Sequence, residues 1–366
     1  MRYSDKEKSL IDGSAWDQFC DDLKVAGEQV LRPENPDDPF NRAEGYRYLT
    51  RLLRLSLEKN IEFNNPQFPQ FYSLSHETAK IGNDNPDNFY QNCEISGKYD
   101  YRITGHQGTV PYLSIETKAG SYGSTGTMAP TGHVELEELD ISEDGTFELV
   151  VSATPKKGNW LPMTLESDNL LVRQTFFDRS NEKRATLYIE CLNADGRPIL
   201  EPELFVEQLA NVPKFMEGTS SLFVDWMNIF SAHKNQLPAN DQEMCLTVGG
   251  DPSIHYHNSY WDLADDEALI IEAKTIPNCR TWNIQISNYW LESLDFRYHK
   301  ISVNKHSATY NTDGSVTIIL SHQNPGKKYP NWLETAGHNL GSMLFRWIEA
   351  DSFPPVDTRV VKFSEL

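Results

Sequence analysis

Two stretches of this chain repeat each other, and a duplicated set of sheet-forming segments leaves few folds open. The first runs Asp144-Gly145-Thr146-Phe147-Glu148-Leu149-Val150-Val151-Ser152, then Pro155, Asn159-Trp160-Leu161 and Leu171-Val172-Arg173. The second runs Asp313-Gly314-Ser315-Val316-Thr317-Ile318-Ile319-Leu320-Ser321, then Pro325, Asn331-Trp332-Leu333 and Leu344-Phe345-Arg346. In each, an Asp-Gly turn feeds a strand, a polar loop carries the chain across, Asn-Trp-Leu anchors it, and a further strand ends in Arg. The Trp can bury its ring while its N–H finds a partner, and the Asn can hydrogen-bond loop backbone. Further β-rich runs, among them 99–104, 112–117, 269–274 and 282–287, lie between Gly, Pro, Asp and Asn turns. The expectation is a mainly β protein with α additions, built as two related β-sandwich or jelly-roll-like halves about a pseudo-twofold axis.

The additions are helical. Trp16, Phe19, Cys20, Leu23, Ala26 and Val30 recur at helical spacing after Ser14, and Leu49, Leu52, Leu53, Ser56 and Leu57 form a second stripe after Asn41, whose spacing to Glu44 is that of a capping box. The prolines at Pro33, Pro36 and Pro39 separate this pair. A third helical region spans 201–233. The resulting division is a helical segment at 1–70, a first sandwich half at 71–198, a helical connector at 199–240 and a second half at 241–366.

Composition removes several function classes. With 33 Lys plus Arg against 53 Asp plus Glu, the net charge of -20 opposes a phosphate backbone, so nucleic-acid binding is not expected. The one dense basic run, Arg47 to Arg54, has the spacing of a helix's outer face. No stretch is apolar enough for a membrane span, and the charged amino terminus lacks a signal-peptide core, which suggests a cytoplasmic location. Five scattered cysteines without a CxxC read as reduced thiols. Sheet edges and aromatic loops make a homodimer plausible.

Asn85-Pro86-Asp87-Asn88-Phe89-Tyr90 resembles the signature of the domain of unknown function 1254. The run from Trp282 through Asn288-Tyr289-Trp290, Asp313-Gly314-Ser315, Asn331-Trp332-Leu333 and Arg346 is similar to the domain of unknown function 1214. The resemblance covers most of the chain from about residue 70, departs from the pattern at 290–299 and 335–338, and implies a β-rich fold with no catalytic assignment.

Residues present in only one half are those a shared framework does not explain, and the second half is the richer. Glu292, Asp295 and His299 could form an acid-base set, with His322 and His338 orienting or relaying protons, if burial and charge split the carboxylate pKa values. Tyr289, Trp290, Tyr298 and Trp332 could line a pocket, and Arg346 with Arg173 could clamp an anion or simply pair with internal carboxylates. On this basis the leading expectation is a hydrolase or lyase acting on a small glycoside or terpenoid-like ring compound without redox chemistry. A non-catalytic small-molecule carrier or scaffold is the alternative. No cofactor is favoured, although His255 and His257 share one face of a strand and could hold a divalent metal with Asp251 or Asp262, giving a metal-dependent hydrolase as a third reading. Two loops stay open. The polar run from His76 to Asn88 is either a ligand-contacting loop or a series of Asx turns, and the glycines at 120, 123 and 126 suggest a mobile surface loop or lid.

Overall fold

Strand pairing in the computed structural model, which describes residues 3–123 and 125–366, repeats element by element. The first half contains β1 (Asn88–Glu94), β2 (Tyr101–His106), β3 (Tyr112–Ala119), β4 (Ala129–Glu135), β5 (Thr146–Ser152), β6 (Trp160–Pro162), β7 (Asn169–Thr175) and β8 (Thr186–Cys191). The second contains β9 (Ile254–Asp262), β10 (Glu267–Ala273), β11 (Cys279–Ile286), β12 (Ser302–Asn304), β13 (Val316–Ser321), β14 (Trp332–Glu334), β15 (Leu340–Ala350) and β16 (Asp357–Lys362). The four-stranded sheets β1-β7-β3-β4 and β6-β5-β2-β8 of the first half have their counterparts in β9-β15-β11-β12 and β14-β13-β10-β16. Pairing is antiparallel except at β5–β6 and β13–β14. Each half closes its own apolar core between its two sheets. Ile103, Leu149, Leu161, Ile115 and Val172 meet in the first, and Leu269, Ile318, Leu333, Ile284 and Phe345 in the second.

The repeated residues do the same work in both halves. Asp144 and Asp313 each accept from the backbone N–H and hydroxyl two residues on, at Thr146 and Ser315, around glycines with φ of 82° and 85°. Asn159 Nδ2 donates to the carbonyls of Asp140 and Glu148, and Asn331 Nδ2 to those of Thr309 and Thr317. Trp160 and Trp332 donate to the carbonyls of Ser152 and Ser321. Each Asn-Trp-Leu therefore ties a loop to its strand and drops a fully buried Leu into the core.

Strands β3, β7, β11 and β15 are buried along nearly their whole length on both faces. One face of each serves its own sandwich, and the other packs against the opposite half. The helices close the remaining sides: α1 (Asp5–Asp12), α2 (Ser14–Gly27), α3 (Pro39–Leu57), α4 (Pro202–Ser231) and α5 (Gln242–Thr247). α3 starts three residues earlier than a cap at Asn41 suggests, because Asp38 accepts from the N–H groups of Phe40 and Asn41 and Pro39 opens the first turn. α4 runs unbroken through Pro213 and Gly218 and buries Val212, Phe215, Met216, Phe223, Val224, Met227 and Phe230. The N-terminal part contains one helix more than the expected pair, since Ser4 and Glu7 form a capping box for α1. Among the described residues no helix is long and apolar enough to cross a membrane.

Candidate functional site

Sheet register places matched side chains in matched rows on the face each half turns toward the other. In the first half Arg173 of β7 pairs with Tyr90 of β1 and Ser114 of β3; in the second Arg346 of β15 pairs with Tyr256 of β9 and Asn283 of β11. One rung along, Leu171 lies between Asn92 and Glu116, and Leu344 between Asn258 and Gln285. Side chains two apart share a face, so each row and its neighbour point the same way. The loops leading into β1 and β9 match as well: Asn85-Pro86 stands five residues before Tyr90, and Asp251-Pro252 five before Tyr256. Tyr90 Oη accepts from Asn85 N–H (2.9 Å), and Tyr256 Oη from Asp251 N–H (2.8 Å). Contacts across the interface are reciprocal. Arg173 donates to the carbonyl of Gly249 in the second half's loop, and Arg346 donates to that of Asn83 in the first half's loop (both 2.6 Å). Such exchange is the mark of an isologous interface, here within one chain.

Between the two faces lies a cavity of about 160 Å³. Tyr90, Asn92, Leu171 and Arg173 line it from one half, and Tyr256, Asn258, Leu344 and Arg346 from the other. The polar loop contributes Asn83, Asp84 and Asn85, so it combines both readings: Asn85 Oδ1 accepts from Asp87 N–H as an Asx turn, and the same residues face the cavity. Phe215 and Trp226 of α4, Tyr122, Met128 and Val248 supply an apolar cover. The glycine-bearing segment belongs to this cover and is packed down. A Cβ on Gly123 would stand 2.6 Å from Phe215 Cα, one on Gly218 would stand 2.3 Å from the Tyr122 carbonyl, and Tyr122 Oη donates to Val248 O (2.7 Å). Ser124 lies outside the described residues.

The two arginines differ in what surrounds them. Arg173 ion-pairs with Glu116, which also accepts from buried Lys118 (2.6 Å), and Asp251 lies 3.5 Å away. Arg346 is 4% exposed and makes three hydrogen bonds, all to neutral oxygens, on Asn283, Gln285 and the Asn83 carbonyl. Gln285 occupies the place of Glu116, and Asn85, bonded to Asn283, the place of Asp251. Both carboxylates around one arginine are thus carboxamides around the other. Burial pulls the Arg346 pKa down, opposed by the fields of Tyr90, Tyr256, Asp84 and Asp87, yet a guanidinium keeps its proton in a protein. Asp84 accepts from Ser293 N–H and Oγ, and Asp87 faces Arg179 and Asn283; burial raises the Asp87 pKa. Two lining side chains carry buried atoms with no hydrogen-bond partner, Asn85 Nδ2 and Asn169 Oδ1.

Of the residues named in the sequence as an acid-base set, pocket aromatics or anion clamp, Arg173 and Arg346 line this cavity and the others do not. Glu292 is buried beneath α3 and ion-pairs with Arg51 (2.6 Å), which turns one member of the basic run inward. Burial raises its pKa against the pull of Arg51. Asp295 forms a two-point pair with Arg297 at the surface, whose hydrogen bonds hold it near pKa 2. His299 lies 3.0 Å from Glu334. His322 bonds Thr335 Oγ1 and approaches the Leu263 carbonyl, and His338 bonds the Thr335 carbonyl and edges onto Phe40. Glu292 accepts from Asn288, which also donates to Glu44, and His338 lies 3.9 Å from Glu44, while Asp295 and His299 pair elsewhere, with Arg297 and Glu334. Tyr289 bonds Asn35, Trp290 packs under the N-terminal helices, Trp332 serves its anchor, and Tyr298 is exposed. The second half's extra ionisable groups therefore hold loops and helices to the sandwich.

His255 and His257 do share a face of β9. His255 stacks on Phe353, and His257 meets the Leu237 carbonyl while burial lowers its pKa to about 4. Asp251 is committed to Ser114 and Arg173, and Asp262 to Lys234. Among the described residues no group of three or more His, Cys, Asp or Glu side chains is placed to hold a metal ion.

One further cluster joins the halves. Glu135 accepts from Ser253 Oγ and Tyr112 Oη, and burial together with a hydrogen bond to Glu349 raises its pKa to about 7. A carboxyl whose pKa is higher in the folded state stabilises the fold when protonated. Stability from this group is therefore complete below about pH 4.5 and is lost as pH rises through 7. Urea unfolding at pH 5 and pH 8 should show a larger drop for the native protein than for Glu135→Gln; equal drops would contradict the shared proton.

Comparisons with known proteins agree with this architecture. An uncharacterised protein from Burkholderia cenocepacia is 49% identical over 98% of this chain and 100% of its own, with a TM-score of 0.96. The VPA0106 protein from Vibrio parahaemolyticus, at 12% identity over 93% of this chain and 100% of its own, shares the fold with a TM-score of 0.52. No curated protein matches the sequence. Residues 260–352 match the family described as Protein of unknown function (DUF1214), a span that runs from within β9 past Arg346 and so takes in the second half's cavity wall. The chain belongs to that family.

Proposed function

We propose that the protein binds a small organic molecule in the cavity between its two halves, as a carrier or receptor. The observation that carries this reading is the enclosure of one cavity by matched Tyr, Arg, Asn and Leu rows under an apolar cover of Phe215, Trp226 and Tyr122. A few convergent polar groups in an otherwise apolar, preformed cavity are the usual make-up of a ligand site. A volume of about 160 Å³ is close to the roughly 150 Å³ of a cavity known to take benzene. The hydrolase or lyase reading needs Glu292, Asp295 and His299 around one substrate, and their separation into helix-anchoring and surface pairs favours binding over acid-base chemistry.

The test fills the cavity. A thermal-shift screen of small organic acids, amides and alcohols should give concentration-dependent stabilisation, about 2.7 kcal/mol at 100 times the dissociation constant. In Leu344→Trp, which places an indole where the two rows meet, the protein should fold at a cost of about 1–3 kcal/mol and lose every such shift. Shifts that persist in this variant would place binding elsewhere and overturn the proposal.

A further inference from the structure

We infer that the ligand of this cavity is a small apolar monocarboxylate, its carboxylate seated on Arg346 and its hydrocarbon part under Tyr122, Phe215 and Trp226. The inference rests on the binding function proposed above and specifies its ligand. Three independent features lead to it. First, Arg346 is a buried cation with no carboxylate among the described residues within ion-pair distance: Asp84 and Asp87, whose fields reach it, are bonded to Ser293 and Asn283, whereas its counterpart Arg173 has Glu116 and Asp251. A buried charge left without a counter-ion is costly, and an anionic ligand removes that cost on binding. Second, the donors around it suit a carboxylate. The hydroxyls of Tyr90 and Tyr256 each accept a backbone N–H, so each proton is left to donate, and both rings flank Arg346 closely enough to affect its charge. Asn85 Nδ2 is a buried donor without a partner on the same wall. Third, Tyr122, Met128, Phe215, Trp226 and Val248 give the cavity an apolar wall, the charged side chains Lys59 and Glu94 that also line it are paired with each other, and the volume leaves room for a ring or short chain beyond the carboxylate.

The asymmetry within the repeat settles which arginine takes the anion. At Arg173 the acidic positions are filled by the protein's own Glu116 and Asp251; at Arg346 the same positions are Gln285, which accepts from the guanidinium, and Asn85, which accepts from Asn283, and neither carries a charge. The chain carries its own anion at one site and takes it from solution at the other.

Calorimetric titration with benzoate and benzamide, a pair of nearly equal shape differing in charge, tests this on the native protein. Benzoate is expected to bind at least ~10-fold more tightly, the worth of a charge-assisted hydrogen-bond pair. Gln285→Glu, which supplies Arg346 with the carboxylate that Arg173 already has, should abolish the preference for benzoate. Equal affinities for benzoate and benzamide, or a preference unchanged in Gln285→Glu, would overturn the carboxylate assignment while leaving the cavity as a site for neutral molecules. Sulfate binding as tightly as benzoate would overturn the apolar part. Failure of both organic probes, and of every other compound in the thermal-shift screen, to bind the native protein would remove the binding function itself.

Discussion

Glu116→Gln is expected to destabilise the fold by about 3–5 kcal/mol, measured as urea unfolding at pH 7. Glu116 is fully buried and is the carboxylate on which both Arg173 and Lys118 converge. Changing it to an amide leaves two buried cations with Asp251 as the remaining nearby carboxylate, and an uncompensated buried charge costs far more than a lost surface pair. The side chain keeps its size, so packing is not the cause of the loss. The same change gives Arg173 the carboxamide that Arg346 has at the matching position, while Asp251 stays beside it, so the destabilisation measures what Glu116 contributes to holding Arg173 and Lys118. A loss below about 1 kcal/mol would mean that the buried cations are neutralised in some other way, and the contrast between the two arginines would lose its force.

A second large effect is expected at the junction of the helices with the second half. Trp290 is 2% exposed, donates its indole N–H to the Asn41 carbonyl (3.0 Å) and stacks against Tyr48. Gly45 makes room for it on α3; a Cβ there would stand 2.5 Å from the ring. Trp290→Ala should cost about 3–5 kcal/mol through the cavity it opens. Because this ring fastens α3 to the loop after β11, the variant should also become sensitive to limited proteolysis within 1–57 before the sandwiches are cut. Simultaneous cleavage throughout the chain would contradict the role given to Trp290.

Much of the architecture was legible in the residues. Asp-Gly turns, Asn-Trp-Leu anchors and strand-terminal arginines act locally, through hydrogen bonds set by their own geometry, so their recurrence identified two equivalent sandwiches. The match between 85–92 and 251–258 was harder to see, because it comes down to Pro, Tyr and Asn at fixed spacing, with His255 and His257 drawing the eye toward metal chemistry. The site was mostly hidden for a different reason. The ionisable groups that the second half adds, Glu292, Asp295, His299, His322 and His338, hold its own loops and the N-terminal helices. The difference that matters to the cavity is a subtraction, Glu116 and Asp251 in one half against Gln285 and Asn85 in the other. It becomes visible only when β3 is aligned with β11 and the β1 loop with the β9 loop. Strand register supplies that alignment, and propensity alone does not.

The charge asymmetry is tested most directly by a crystal structure of the protein with 4-bromobenzoate, in which the bromine's anomalous signal fixes the ring and the remaining density fixes the carboxylate. The expected result is one molecule between the halves, its carboxylate on Arg346 between the Tyr90 and Tyr256 hydroxyls and its bromine toward Trp226 and Phe215. A carboxylate on Arg173, or bromine only outside the cavity, would contradict it.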